Sequence, residues 1–372
     1  MATGVTYYGR ISTNVISHYF LNEVWEGTTN HRPFFMALKK RGHIESGLTG
    51  QNLVWNINVG RHSMDAYDDA EVINITRKKH EVQATLPWAF LTVSDAITRD
   101  EIAMAGSETA LRRVNKDMLE RMRKNFQTRI NAQALTQDGN AVGTNVLHGT
   151  ETFLSNTGST GAGTNRPGGN DTYANISTAS GGITNVDNVE PDAWTPQIIN
   201  YSSTGWNTTG VSWRANLREV LTFAHDRATK GNEASERPDL GILDRTMFST
   251  MKDVLASSQR LIVNGSPQAN SNIGLGIPGG VEYDGVEYIF DNDQTANVGH
   301  LLNFNHIYLD VLAVPEAPAA GKIPGGGSSG KDDMFEVLVK EDITTNGVLV
   351  RVNFRAQLRF HPRYQGKFLA FG

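Results

Sequence analysis

Apolar positions recur every second residue in the stretch from 51 to 93. Leu53, Trp55, Ile57 and Val59 interleave with Asn56, Asn58 and Gly60, the period of a half-buried strand. Gly60 to Ala70 is polar and turn-like. The chain then returns through Val72, Ile73 and Ile75, and through Val82, Ala84 and Leu86, with Arg77, Lys78 and Lys79 between them. The pattern predicts a long β-hairpin. It has too little apolar surface for a core of its own, and an isolated two-stranded hairpin is marginal in water. It should therefore need a partner surface.

From Leu111 the spacing changes to three and four, through Val114, Met118, Met122, Phe126, Ile130 and Ala134. This is the single apolar stripe of an amphipathic helix. Ser107 suits the N-cap, Glu108 complements the dipole in the first turn, and Gly139 supplies a stop. A helix over 107–138 is a rod of roughly 45 Å. Off the stripe, Arg112, Arg113, Lys116, Arg121, Arg123, Lys124 and Arg129 face Glu108, Asp117, Glu120 and Asp138, so that side is basic.

Residues 1–40 scatter Tyr7, Tyr8, Tyr19, Phe20 and Trp25 without a clean period. They read either as an arm lying on other surfaces or as an ordinary strand-and-helix piece. Ser, Thr, Asn and Gly dominate 155–169, a long loop or insertion, and order resumes near Tyr173 and Trp194. From Ser212 the pattern is compact α/β. Ser212 caps a helix that stops at Gly231, Leu240 to Leu243 forms a short buried strand, and a second helix covers 246–257. Val281 to Phe290 reads as a hairpin turning at Asp284-Gly285, and Leu301 to Val311 as one strand. A second Gly/Pro/Ser loop covers 317–331, and strands are expected over 336–340, 347–360 and 367–371.

Composition narrows the function. The chain has 34 Lys and Arg against 39 Asp and Glu, a net charge of -5. That argues against a dedicated nucleic-acid reader but leaves room for a local basic face. The absence of cysteine excludes disulfides, thiolate metal sites and cysteine nucleophiles. Met1 to Tyr8 shows no secretory signal, and no apolar run approaches the ~20 residues of a membrane span. A soluble intracellular product without membrane association is expected.

The candidate chemistry does not assemble. Residues 274–279 spell GxGxxG, but Pro278 interrupts the motif and a hairpin follows where a phosphate-binding helix is required. Residues 325–331 nearly spell a P-loop, but Asp332 stands where a Ser or Thr should hold magnesium. The ten histidines include no HExxH pair, and His300 and His306 have no acidic ligand pattern around them. No GxSxG elbow is present. Asp291, Asp293 and Asp310 read as turn and strand-end residues, with an acid/base pair as the alternative. No catalytic, cofactor-binding or metal-ligating residue is assigned, and an enzyme reading has no anchor. What remains is a set of elements poorly buried in a monomer, which points to association.

The order of these parts resembles the Hong Kong 97-type major capsid protein family of tailed bacteriophages, from about Pro33 to Phe371. Four passages carry the likeness: 33–42 followed by 50–55; the helix from Ser107 to Gly139; 172–177 with Trp194-Thr-Pro; and 280–293 with 305–309. The resemblance implies an α+β fold of five parts. These are an N-terminal arm (1–44), an extended loop (45–93), a peripheral domain (94–194) with a spine helix at 107–138 and a Gly/Ser/Thr/Asn-rich insertion, an axial domain (195–340), and C-terminal strands of the peripheral domain (341–372). It implies a self-assembling icosahedral shell of pentamers and hexamers around double-stranded DNA, located in the virion and assembled in the host cytoplasm. A separate scaffolding protein, a portal and a decoration protein are the expected partners, and no cofactor is. A cargo-enclosing, encapsulin-like shell is the alternative, with a hydrolase further off. Expected inter-subunit contacts are Arg61, His62, Tyr67 and Asp68 at the loop tip and Arg32, Phe34 and Phe35 in the arm. Arg112, Arg113, Lys116, Arg121, Arg123, Lys124 and Arg129 are either lumenal phosphate contacts or simply a solvated face.

Some members of that family join a loop lysine to a neighbour's asparagine with help from a glutamate. Here residues 60–70 contain Arg61 and His62 but no lysine. A guanidinium stays protonated and is a poor nucleophile. Lys78 and Lys79 lie roughly 25 Å or more down the return strand. The shell is therefore expected to hold without covalent links, with ion pairs such as Arg61 to a neighbour's acid.

Overall fold

The computed structural model describes residues 32–60, 78–98, 100, 104, 108–143, 145–154, 171–184, 186–187, 189–190, 192–206, 210–231, 234–258, 280–313, 335–342 and 347–370. Helix α1 (Pro33–Arg41) opens with proline at its first position, where the missing N–H costs nothing. Gly42 ends it at φ 71°, and the N–H groups of Gly42 and His43 return to the Lys39 and Leu38 carbonyls. The described chain thus begins with a helix packed into the body. Strand β1 (Ile44–Leu48) follows.

The expected hairpin is present as β2 (Asn52–Asn58) and β3 (Glu81–Pro87), with Leu53 opposite Leu86 and Ile57 opposite Val82. After it, β4 (Ala89–Thr98) enters a different sheet. Helix α2 (Glu108–Thr136) has 29 residues, about 44 Å of rod. Its apolar stripe is buried at Met118, Met122, Phe126, Ile130 and Ala134, as the spacing predicts. The helix stops at Thr136, before Gly139. Asp138 then caps a short turn, α3 (Gly139–Val142), by accepting from the Asn140 N–H.

Two short pairs of residues, β5 (Thr172–Tyr173) and β6 (Ile176–Ser177), precede β7 (Gln197–Asn200). Ser212 caps α4 (Trp213–Ala228), its hydroxyl accepting from the Ala215 N–H at 3.3 Å. Then come β8 (Leu240–Leu243), α5 (Arg245–Ser258), β9 (Val281–Tyr283) and β10 (Val286–Phe290). Asp284 and Gly285 sit at φ 50° and 77°, the left-handed pair that a two-residue hairpin demands. The chain ends through β11 (Gly299–Leu302), β12 (Ile307–Leu312), β13 (Phe335–Asp342), β14 (Gly347–Phe360) and β15 (Gly366–Leu369).

These strands form two main sheets. One runs β1-β12-β14-β13, with β4 also paired along β14; the other runs β7-β15-β11-β8-β10-β9. Helix α2 packs on the first, where Phe126 meets Phe354 edge-on at 5.5 Å. Helices α4 and α5 pack on one face of the second through Leu217, Leu221, Met251 and Leu255, against Leu243, Leu301 and Phe368. The other face of that sheet joins the main core through Ile198, Leu240, Ile242 and Leu302.

The sheet pairing corrects two expectations. Leu301 to Val311 is not one strand: β11 and β12 belong to different sheets, separated by a helical turn at Phe304–His306. Nor do the last residues stay together. Strand β15 leaves β14 and enters the other sheet between β7 and β11. Pro362 starts a helical turn that redirects the chain, and each half of the run then pairs with a different neighbour.

Candidate functional site

The surfaces singled out by the sequence differ in how the structure treats them. Leu53, Ile57, Ala84 and Leu86 of the hairpin are buried by this chain itself. The root is pinned by several backbone bonds. The Val59 and Gly60 N–H groups donate to the His80 carbonyl at 3.0 Å, Asp187 N–H to Lys79, and Thr85 N–H to Ala174. Gly60 also bridges to Val189. The hairpin was expected to lack support; its described part instead leans on the segment 171–194. Val54, on the opposite face, is 47% exposed. Arg61, His62, Tyr67 and Asp68 lie outside the described residues.

The arm contacts are corrected. Phe34 and Phe35 are fully buried and touch each other edge-on at 5.4 Å, and Phe34 packs on Phe304 at 5.3 Å. They anchor α1 in this chain's own core and cannot reach a neighbour. Ala37 and Leu38, three residues further on, are buried with them while Met36 is only half-buried, a helical spacing that the unbroken apolar run 34–38 does not show. Arg32 pairs with Asp293 at 2.9 Å and donates to the Thr128 hydroxyl at 3.1 Å, tying the start of α1 to α2 and the loop after β10.

On α2, Arg121, Lys124 and Arg129 are exposed and Arg123 is half-buried. Arg121 Nε donates to the Asp117 carbonyl at 3.3 Å. The side chains of Arg112, Arg113 and Lys116 lie outside the described residues. The exposed cations share the solvent side of the helix, opposite the stripe that packs on β4 and β14.

Inside, polar groups are paired for structure. Asp291 Oδ1 accepts from the Asp293 N–H, and the Asn131 amide donates to both carboxylates at 3.0 and 2.8 Å. This is turn chemistry with a clamp from α2. Asp310 is buried against Arg359 at 2.9 Å, and Glu45 takes the other side of that guanidinium at 3.2 Å. Burial pushes the Asp310 carboxyl up to about 6, against the pull of Arg359.

One cluster has no sequence signature. The Lys367 ammonium meets Glu151 at 2.5 Å and the Leu154 carbonyl at 2.9 Å, while His300 contacts the other Glu151 oxygen at 3.2 Å. Its members come from three distant segments. Burial raises the Glu151 carboxyl, but His300 and Lys367 together hold it below the ordinary range.

An open groove of about 1240 Å³ runs beside α4, lined among others by Trp206, Arg218, Phe223, His225 and Asp284. His225 sits between Tyr288 (2.5 Å) and Asp284 (3.4 Å). The Tyr288 side chain is fully buried and His225 nearly so, and His225 forms part of the wall of the groove. Among the described residues, no three acidic or histidine side chains converge as metal ligands.

No family model matches the sequence, and no curated protein is a significant match. Solved structures do match. The chain is similar to the capsid subunit of cyanophage A-1(L), with 14% identity over 90% of this chain and 92% of that one and a TM-score of 0.58. It is similar to the capsid of a native GTA particle, with 12% identity, coverage of 90% and 91%, and a TM-score of 0.51. It also matches the capsid of cyanophage P-SCSP1u, with 11% identity, coverage of 88% and 86%, and a TM-score of 0.50. At such identities the shared property is the path of the chain. The chain has the Hong Kong 97-type capsid fold.

Proposed function

We propose that this chain is the major capsid protein of a tailed phage, the subunit that closes on itself into an icosahedral shell around double-stranded DNA. The observation that supports it most is the end-to-end agreement with the cyanophage A-1(L) capsid subunit, which spans nine-tenths of both chains. In this reading the five-stranded sheet with α2 is the peripheral unit. The six-stranded sheet with α4 and α5 is the axial unit that meets its copies around five-fold and six-fold axes. The hairpin reaches over a neighbour. Val54 and Phe90, 47% and 52% exposed in the single chain, are apolar surface that assembly removes from water. Scaffolding, portal and decoration proteins are the proposed partners, and the exposed cations of α2 are proposed to meet phosphate weakly and without sequence preference.

Co-expression with its scaffolding partner, followed by sedimentation and negative-stain imaging, tests this. Closed particles holding DNA are expected. Particles holding an enzyme instead of DNA select the cargo shell, and a monomer under every condition overturns shell building altogether. Boiled in detergent, the particles should run as one band near 40.8 kDa; a ladder of dimers to hexamers would show covalent links.

A further inference from the structure

Two short passages carry the chain between the sheets: 303–306 from β11 to β12, and 361–365 from β14 to β15. They lie side by side. The His361 N–H donates to the His306 carbonyl at 3.1 Å. The Gln365 side chain accepts from the Asn303 N–H at 2.9 Å and donates to the Asn303 carbonyl at 3.2 Å. Together with the longer passage from β4 through α2 to β7, they connect the two sheets.

Its filling is unusual for a structural seam. His306 stacks on Tyr364 at 3.9 Å and 9°. His361 meets Tyr364 at 4.9 Å and Trp194 at 4.8 Å, and the two histidine rings are 5.9 Å apart. Nε2 of His306, Nδ1 of His361 and Nε1 of Trp194 are buried without a hydrogen-bond partner. Buried polar nitrogens normally find partners, and an orphan calls for an explanation.

The charges around the rings are of both signs. Arg363 lies beside His361, its guanidinium paired with Glu190, and His43 lies beside His306. The His43 Nδ1 faces the Phe304 and Ile307 carbonyls. Lys230 and Asp192 act near Arg363, and Glu236 acts on Tyr364. Arg41 is occupied by Asp239 at 2.6 Å. Among the described residues no carboxylate pairs with either ring.

We propose that the double crossover is an acid-operated hinge, in which protonation of His306 and His361 opens the seam between the two sheets. The closed seam accepts only neutral rings. Burial holds His361 down to about 3, with the His306 and Arg363 charges adding to it. Burial also lowers His306, against a hydrogen bond to the Ser235 backbone that raises it and with His43 lowering it further. An opened ring titrates near its ordinary value of about 6.5. Each ring therefore makes opening about tenfold easier per pH unit below ~6.5, until its closed-state value is reached.

Hydrogen exchange on the full chain, between about pH 7.5 and about pH 4.5 and corrected for intrinsic rates, tests this. Below about pH 6.5, protection at 303–307 and 361–366 should fall with a slope to which both rings add. His306→Gln or His361→Gln should each make the slope shallower, and the double variant should abolish it. His225→Gln, buried between α4 and β10, should leave the slope unchanged. A slope that survives the double variant overturns the hinge. If a variant does not fold, the wild type still decides: seam amides opening before those of β8 support the hinge, and simultaneous loss across both means global unfolding and overturns it. The readout is the amides of one chain, so a failure to form shells would leave it intact.

Discussion

The six-stranded sheet is covered on both faces, whereas the five-stranded sheet carries α2 on one face and leaves β4 open on the other. Strands β8, β11 and β15 are buried at every position. Along β4, Phe90, Thr92, Ser94, Ala96 and Thr98 are exposed while Ala89 and Ile97 are buried. The difference shows in composition. Two-sided burial produces the unbroken run Leu240–Leu243, and one-sided burial produces alternation. It also divides the labour: a sheet covered twice is a finished core, and a sheet covered once has a face left for a neighbour.

The largest break in that contrast is Lys367→Met, inside the finished core. It leaves the half-buried Glu151 with His300 alone, and losing one partner of a fully buried pair costs about 3–5 kcal/mol, the upper bound here. Urea unfolding should show it, and the double variant Lys367→Met with Glu151→Gln should recover most of the loss. Next comes Phe34→Ala, which empties a fully buried site and should cost about 3–4 kcal/mol. A cost below about 1 kcal/mol would mean that α1 is not part of the chain's own core.

Acid gives the third break. Burial pulls His148 down to about 4, and both its ring nitrogens are orphaned. Its folded value lies below its unfolded one, so the contribution is complete above about 6.5 and is lost as pH falls toward 4. At pH 5 the loss is about 2 kcal/mol. Asp310 works in the opposite sense: its value is raised to about 6, so the stability it lends is present below about 3.8 and is lost as pH rises through 6. Thermal melts of His148→Leu and Asp310→Asn should therefore change the pH profile in opposite directions.

The smallest effects on the single chain fall on the open surfaces. Phe90→Ser should move the unfolding free energy by no more than about 0.5 kcal/mol while reducing particle yield. Replacing Arg121, Lys124 and Arg129 by Gln should leave the melting midpoint unchanged. It should weaken genome retention most at low salt, with the difference fading as salt rises, and unchanged retention at every salt would make them a solvated face.

Local pattern was legible where one element settled the matter. The stripe from Met118 to Ala134, the Ser212 cap, the strand Leu240–Leu243 and the turn at Asp284-Gly285 all stand as read, because each depends on neighbours within a few residues. Phe34 and Phe35 were misplaced because their burial depends on Phe304 and Phe360, some three hundred residues away. The Lys367, Glu151 and His300 cluster was invisible for the same reason.

By itself, then, the sequence determined the elements, the lack of any thiol chemistry and a set of apolar faces in want of partners. The tertiary structure alone decided which faces this chain covers and which it leaves to others. Periodicity shows that a face is apolar but not what lies against it, and β11 and β12, adjacent in sequence, part company only because each finds a different strand to pair with.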